Sequence, residues 1–98
     1  MTITRSDKSG KKYKAVFSHM KDGKRKVIRT THFGSAGMTD YLLSKDKDRR
    51  SRYRSRHKKD LNTKDSMRAG YLSWYLLWGD STSLRENIKS YKSRFNYV

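Results

Sequence analysis

One segment of the sequence, from Lys45 to Lys59 (KDKDRRSRYRSRHKK), limits what the chain can fold into more than any other. It holds nine lysine or arginine residues and two aspartates, which gives it a net charge of +7. Its residues favour a helix, but Tyr53 is its only large apolar side chain. A helix that is polar nearly all round takes its stability from contacts along one line. We therefore predict a helix over residues 46 to 59 that is either an exposed arm or a surface helix with one anchoring stripe.

The charge of the whole chain indicates a polyanionic partner. The 98 residues carry a formal net charge of +16, well above the magnitude of about 2 to 8 that keeps a small domain soluble. Nucleic acid is the first candidate partner, followed by an anionic membrane and an acidic protein. The alternative, in which the charged segment is only a solvated face, fits the size of the excess less well.

Arginine alternates with serine in the charged segment, a pattern that suits contacts to phosphate. Arginine forks and serine hydroxyls bind phosphate oxygens without reading bases, so we predict binding by counterion release with no base-sequence specificity. Tyr53 has two interpretations, a surface that stacks on a base or the anchor of its helix, and we favour the anchor. The predicted polyanion contacts are Arg49, Arg50, Arg52, Arg54, Arg56, Lys58 and Lys59 in this segment, with Lys24, Arg25 and Lys26 nearer the N-terminus.

The composition allows one small domain. A chain of 98 residues has room for a single small core, and two Trp, seven Tyr and three Phe argue for a fold rather than a disordered tail. The absence of cysteine excludes a disulfide framework, a thiol nucleophile and cysteine-containing metal sites. The sequence has neither a signal-peptide core nor about 20 consecutive apolar residues, so we expect neither secretion by that route nor a membrane span. We predict a basic N-terminal arm over residues 1 to 11 and one domain over residues 12 to 98.

Two segments rich in β-branched and aromatic residues flank Asp22 and Gly23 and predict a β-hairpin over residues 12 to 33. A regular two-residue loop would place Phe17 opposite Ile28, Ala15 opposite Thr30 and Tyr13 opposite His32. The covered face of the hairpin would then carry Tyr13, Ala15, Phe17 and Ile28, and the other, largely basic face Lys14, Val16, Val27 and Arg29.

Helices are predicted to follow the hairpin over residues 38 to 44, 46 to 59, 66 to 78 and 83 to 95. The third contains the apolar segment MRAGYLSWYLLW, in which we expect Trp74 and Trp78 to be core residues; the alternative is contact with an anionic membrane. Ser83 and Glu86 form a capping-box pattern at the start of the last helix, whose apolar face would carry Leu84, Ile88, Tyr91 and Phe95. The predicted fold class is α+β, an N-terminal β-hairpin packed on three to four short α-helices in a small single domain.

No catalytic or metal-binding pattern is recognisable in the sequence. The nine acidic residues are scattered, and the histidines His19, His32 and His57 include no pair at the spacing of helical metal ligands. The segment FGSAG lacks both the P-loop lysine and the dinucleotide fingerprint. We therefore predict a non-enzymatic protein with no catalytic residues, metal, cofactor or small-molecule substrate.

Four blocks of the sequence carry a resemblance to a known family. In chain order they are HFGSAGMTDY (32 to 41), DRRSRYRSRH (48 to 57), AGYLSWYLLWG (69 to 79) and SLRENIKSYKSRF (83 to 95). Together they resemble a family of short, basic, functionally uncharacterised proteins encoded by large DNA viruses of algae and amoebae. The resemblance spans residues 12 to 95 and supplies no catalytic residues. It implies a viral product carried in the particle, as a minor capsid component or with the packaged genome.

Charge and resemblance together predict a virion structural protein, and two versions remain open. In the first, the protein is a minor capsid component that cements larger capsid proteins, with its charge against acidic capsid surfaces or the anionic inner membrane. In the second, it binds and condenses viral DNA without sequence specificity. Both versions predict a location in the virion, and in the host cytoplasm or nucleus during infection.

Overall fold

Three antiparallel strands open the chain and helices follow in the computed structural model, which describes residues 1 to 98. The strands are β1 (Thr2–Arg5), β2 (Lys11–Lys21) and β3 (Lys24–Ser35), in the sheet order β1-β2-β3. The helices are α1 (Tyr41–Ser44), α2 (Lys47–His57) continued by a 3₁₀ helix (Lys58–Thr63), α3 (Ala69–Leu72) continued by a π-helix (Ser73–Leu77), and α4 (Leu84–Phe95). The predicted α+β class is confirmed. None of the helices combines the length and the apolar character that crossing a bilayer requires.

The predicted two-residue turn joins β2 to β3. Asp22 and Gly23 have φ angles of 52° and 75°, the left-handed values that a type I′ turn requires at both central positions. Beyond the turn, a β-bulge interrupts the pairing, since Ser18 pairs with Val27 but Phe17 pairs with Arg29. The bulge leaves one extra residue in β3 and shifts every later partner by one position.

The bulge decides which side chains of β3 enter the core. Thr31 and Phe33 lie opposite Ala15 and Tyr13 and are buried, whereas Ile28 is 50% exposed. Burial of Ala15 and Phe17 is confirmed. The bulge makes the following predictions wrong: the core position of Ile28 and the pairs Phe17–Ile28, Ala15–Thr30 and Tyr13–His32.

The first residues of the chain form a strand and not an arm outside the sheet. β1 pairs with the segment from Tyr13 to Val16, so β2 becomes the central strand. The buried side chain of Met1 joins the core, and the Ser6 hydroxyl lies 2.7 Å from His32 Nδ1. The strand is hard to recognise in the sequence, because Ile3 is the only apolar residue within it.

The two tryptophans of the predicted core helix lie in different environments. Trp78 is buried with an exposed fraction of 7%, while Trp74 is partly exposed and lies outside the core cluster. In an α-helix two residues four positions apart share a face. Here the Trp78 main-chain N–H bonds to the Ser73 carbonyl at 3.1 Å, the i to i+5 pattern of a π-helix, and the wider turn separates the two side chains. The prediction that Trp74 is a core residue is wrong.

A buried asparagine in α4 fixes the chain that follows the π-helix. The Asn87 amide donates to the carbonyls of Leu76 at 3.0 Å and Ser81 at 2.8 Å, and its oxygen accepts from the Ser81 N–H at 3.1 Å. Gly79 packs against both the Asn87 side chain and the Tyr75 carbonyl, and a Cβ atom at this position would overlap the carbonyl oxygen. The Ser83 hydroxyl accepts from the Glu86 N–H, which confirms Ser83 as the N-cap of α4. The reciprocal half of the capping box is not formed, because the Ser83 N–H donates to the Ser81 hydroxyl. The apolar face of α4 packs on the core with the residues Leu84, Ile88, Tyr91 and Phe95.

The environments of the two tryptophans predict unequal costs of truncation. Trp78→Ala should lower the free energy of unfolding by about 3 to 5 kcal/mol, because it opens a cavity in the core. Trp74→Ala should cost about 1 kcal/mol, the value of its contact with an arginine. Urea unfolding followed by circular dichroism measures both. Equal losses would contradict the partly exposed position of Trp74 outside the core cluster.

Candidate polyanion-binding surface

Helix α2, the predicted polyanion-binding element, has ends that suit its charges. The carboxylate of Asp46 caps it by accepting hydrogen bonds from the main-chain N–H groups of Asp48 at 3.0 Å and Arg49 at 3.1 Å. An acidic residue lies in the first turn and three basic residues lie in the last, as the helix dipole favours. The helix therefore has local support even though none of its residues is fully buried.

Tyr53 attaches α2 to the body of the protein. Its ring stacks on Trp78 with centroids 4.4 Å apart and an angle of 8°, and its other face stacks on His57 at 4.1 Å and 21°. Both faces of the tyrosine are covered, so it is the anchor of the helix and has no free face for a base. Burial raises the pKa of Tyr53 to about 12, with a further contribution from the nearby Asp60 carboxylate.

Two of the predicted polyanion contacts, Arg50 and Arg54, are bound within the protein. Arg54 Nε donates to the Trp78 carbonyl at 2.9 Å, and its guanidinium lies 5.4 Å from the centre of the Trp74 ring. The guanidinium of Arg50 lies 5.1 Å from the centre of the Tyr41 ring. Terminal nitrogens of both arginines reach one carboxylate oxygen of Asp80, at 3.6 Å from Arg50 and 3.4 Å from Arg54. The sequence did not single out Asp80, whose role depends on this tertiary contact.

The other predicted contacts in this region are free. Their side chains are exposed and make no ion pair or hydrogen bond within the protein. At 100° per residue the first three of them lie within 60° of one another around α2. We call these five residues the outer cations: Arg49, Arg52, Arg56, Lys58 and Lys59.

Depressions flank α2 on both sides. A cleft of about 650 Å³ lies between the helix and the base of the β2–β3 hairpin, with Lys11, Arg49 and Arg56 among its cations and Tyr53 and Trp78 among its apolar lining. A groove of about 400 Å³ lies on the other side, and we call it the arginine groove. It is lined by Lys47, Arg50, Ser51, Arg54, Ser55, Lys58 and Trp74. Neither Lys11 nor Lys47 was among the predicted contacts: the fold brings Lys11 beside α2, while Lys47 is the first residue of the helix itself.

The three remaining predicted contacts, Lys24, Arg25 and Lys26, lie at the tip of the hairpin and are exposed. Lys11 lines the cleft beside α2, and Lys21 at the tip lies ten positions further along extended β2, about 33 Å away at 3.3 Å per residue. The structure therefore divides the predicted residues into two basic regions and does not join them into one surface. No three His, Cys, Asp or Glu side chains come together in a way that would hold a metal ion.

A family model places the chain among known sequences. The model described as DUF5754, a family of unknown function, matches residues 1 to 57. The chain belongs to this family. The matched residues run from β1 to the last residue of α2 and include three of the outer cations. No curated protein and no solved structure matches the chain.

The buried tyrosine makes the attachment of α2 sensitive to alkali. Because the pKa of Tyr53 rises from 10.0 to about 12 on folding, the unfolded chain loses this proton first, and the free energy of unfolding should fall as the pH rises from about 10 to 12. Below pH 10 the Tyr53 hydroxyl is protonated in both the folded and the unfolded state, so it causes no loss of stability. The variant Tyr53→Phe should lose less stability across this range than the wild type, measured by urea unfolding at each pH. Identical pH dependence of the two proteins would show that the Tyr53 hydroxyl is not buried.

Proposed function

We propose that this chain is a non-enzymatic protein of the particle of a large DNA virus, and that α2 binds the phosphates of nucleic acid without reading base sequence. The observation that carries the proposal is the presence of five exposed cations with no partner on one helix and the turn after it. The resemblance in four sequence blocks supports the viral setting.

The outer cations suit phosphate because they are held on a rigid element. The stack of Tyr53 on Trp78 fixes the rotation of α2 about its axis, so Arg49, Arg52 and Arg56 project from defined positions. A polyanion that these cations neutralise releases its own condensed counterions, and the entropy of that release favours binding. Attraction of this kind grows with the linear charge density of the ligand, which is high in duplex DNA.

Apart from its arginines, which can bind guanine as well as phosphate, the same helix has little means of reading bases. The large aromatic side chain of α2, Tyr53, has both ring faces covered, and the helix contains no Asn or Gln, the residues that pair with adenine. Ser51 and Ser55 add hydroxyl donors that suit phosphate oxygens equally along any sequence. Binding is therefore expected to depend on salt and not on base order.

The charge of α2 can be tested with a matched pair of triple variants. Replacement of Arg49, Arg52 and Arg56 by Gln retains good helix formers and removes three positive charges. The slope of log affinity against log salt for a random duplex should become shallower by about 2.7, at about 0.9 for each phosphate that is no longer neutralised. The measurement is fluorescence anisotropy of a labelled duplex across a salt series.

The control removes the same charge from the hairpin tip by replacing Lys24, Arg25 and Lys26 with Gln. This variant should change the slope by less than about 0.9, the value for one phosphate. An equal change in both variants would show that net charge binds the duplex and that α2 has no special role. Tighter binding of the wild type to anionic vesicles than to duplex would replace nucleic acid by a membrane as the partner.

The hairpin supports a second candidate function, the cementing of capsid proteins. Every residue from 19 to 30 is exposed, and the side chains of Met20 and Val27 are 67% and 60% exposed. By strand alternation and pairing both lie on the face opposite to Phe17. Exposed apolar side chains ringed by lysine and arginine fit a protein surface that is apolar at its centre and acidic at its rim.

This second function has its own pair of variants. Replacement of Met20 and Val27 by Ser should weaken co-sedimentation with the major capsid protein of the same virus and leave duplex affinity unchanged, because neither residue is near α2. The matched control replaces Met38 and Leu43, which are 65% and 68% exposed, by Ser. If wild type and both variants sediment equally with the capsid protein, the hairpin is not a cementing surface.

A further inference from the structure

We infer that Arg50 and Arg54 form a binding position for one phosphate group in the arginine groove, and that Asp80 occupies this position in the free protein and competes with the ligand. The inference rests on the proposed function in taking the phosphate to be one of a nucleic acid backbone. It adds a site that shares only Lys58 with the outer cations, and a residue that weakens binding there.

The two guanidiniums are oriented before any ligand arrives. A main-chain carbonyl and an indole ring hold Arg54, and a tyrosine ring supports Arg50. Each side chain is largely buried, with exposed fractions of 23% for Arg50 and 24% for Arg54. Side chains that are already ordered lose little entropy when they bind an anion.

The point on which the arginines converge has an excess of positive charge. The pKa of Arg54 is lowered by burial and by repulsion from Arg50, which indicates that an anion between them is favoured. Asp80 supplies a single negative charge for the pair, while Lys47 and Lys58 line the same groove without acidic partners. A phosphate diester brings one charge and two free oxygens, and arginine forks bind such oxygens in pairs.

The side chain of Asp80 can move away from the two arginines. Its side chain is 83% exposed, and its distances of 3.4 and 3.6 Å to the arginine nitrogens are long for charged hydrogen bonds. The turn that carries it is fixed independently by Asn87 and Gly79. The carboxylate can therefore move away while the backbone stays in place. The hydroxyls of Ser51 and Ser55 line the groove and add donors that a carboxylate on this short turn does not use.

The first test compares Asp80→Asn with a control that removes the same charge elsewhere. Asp7→Asn is the control. Asp7 is 77% exposed and pairs with Lys14, and neither residue lines the groove. Binding of a random duplex is measured across a salt series. Asp80→Asn should bind about three- to tenfold more tightly than the control, because two weak ion pairs no longer compete, and its slope should be steeper by about 0.9. In the double variant that adds Arg50→Gln this gain should disappear.

Equal affinities and slopes for Asp80→Asn and Asp7→Asn would overturn the inference, because the effect would then be one of net charge. Retention of the near-ultraviolet circular dichroism of the wild type shows that each variant is folded. If Asp80→Asn is not folded, Asp80→Ser takes its place, since a serine also fits an exposed turn.

A second test does not depend on the binding of DNA. Inorganic phosphate is titrated into isotope-labelled Asp80→Asn and Asp7→Asn, and the Arg54 Nε–H resonance is followed by NMR. The resonance should shift and saturate at a lower phosphate concentration in Asp80→Asn. No difference overturns the phosphate position. A difference here, in a protein that does not bind duplex, would retain the position, assign it to free phosphate and contradict the proposed function.

Discussion

The stacking of Tyr53 between Trp78 and His57 is the interaction on which the position of α2 depends. The helix has no fully buried residue, and Tyr53 is its only large apolar side chain, so hydrophobic burial along a broad face cannot hold it. The ring of Tyr53, the contacts of Arg50 and Arg54 with the body of the protein, and the capped N-terminus hold the helix instead. Without the stack, α2 would be a cationic segment that repels itself, and its cations would bind from no defined geometry.

The C-terminal half of the chain serves largely to place Trp78. The π-helix turns this residue into the core, Gly79 allows α4 to approach, and Asn87 ties the turn together with three hydrogen bonds. Trp78 in turn offers its ring to Tyr53 and its carbonyl to Arg54. The aromatic residues of the C-terminal half thus hold the basic helix in place, and in this way they orient the positive charges of α2.

Local chemistry made part of this structure predictable. The Asp22-Gly23 turn, the Ser83 cap and the apolar face of α4 each depend on neighbours within a few residues, and each is confirmed. The β-bulge, the strand β1 and the π-helix depend on contacts between distant parts of the chain in the assembled core, so no local pattern of residues predicts them. The same holds for the surface. The sequence was enough to name its basic residues. It could not show that Arg50 and Arg54 are bound within the protein while the other arginines of α2 are free, because that depends on where the fold places Asp80.

The most direct test of the central claim is to map where a duplex touches the wild-type protein. An NMR titration with a random DNA duplex would follow the main-chain amides together with the arginine Nε–H groups. The largest shifts are expected in α2 and the 3₁₀ helix after it, with smaller ones at the hairpin tip. Shifts confined to the tip, or spread evenly over all exposed cations, would contradict the account of α2 as a positioned phosphate-binding helix.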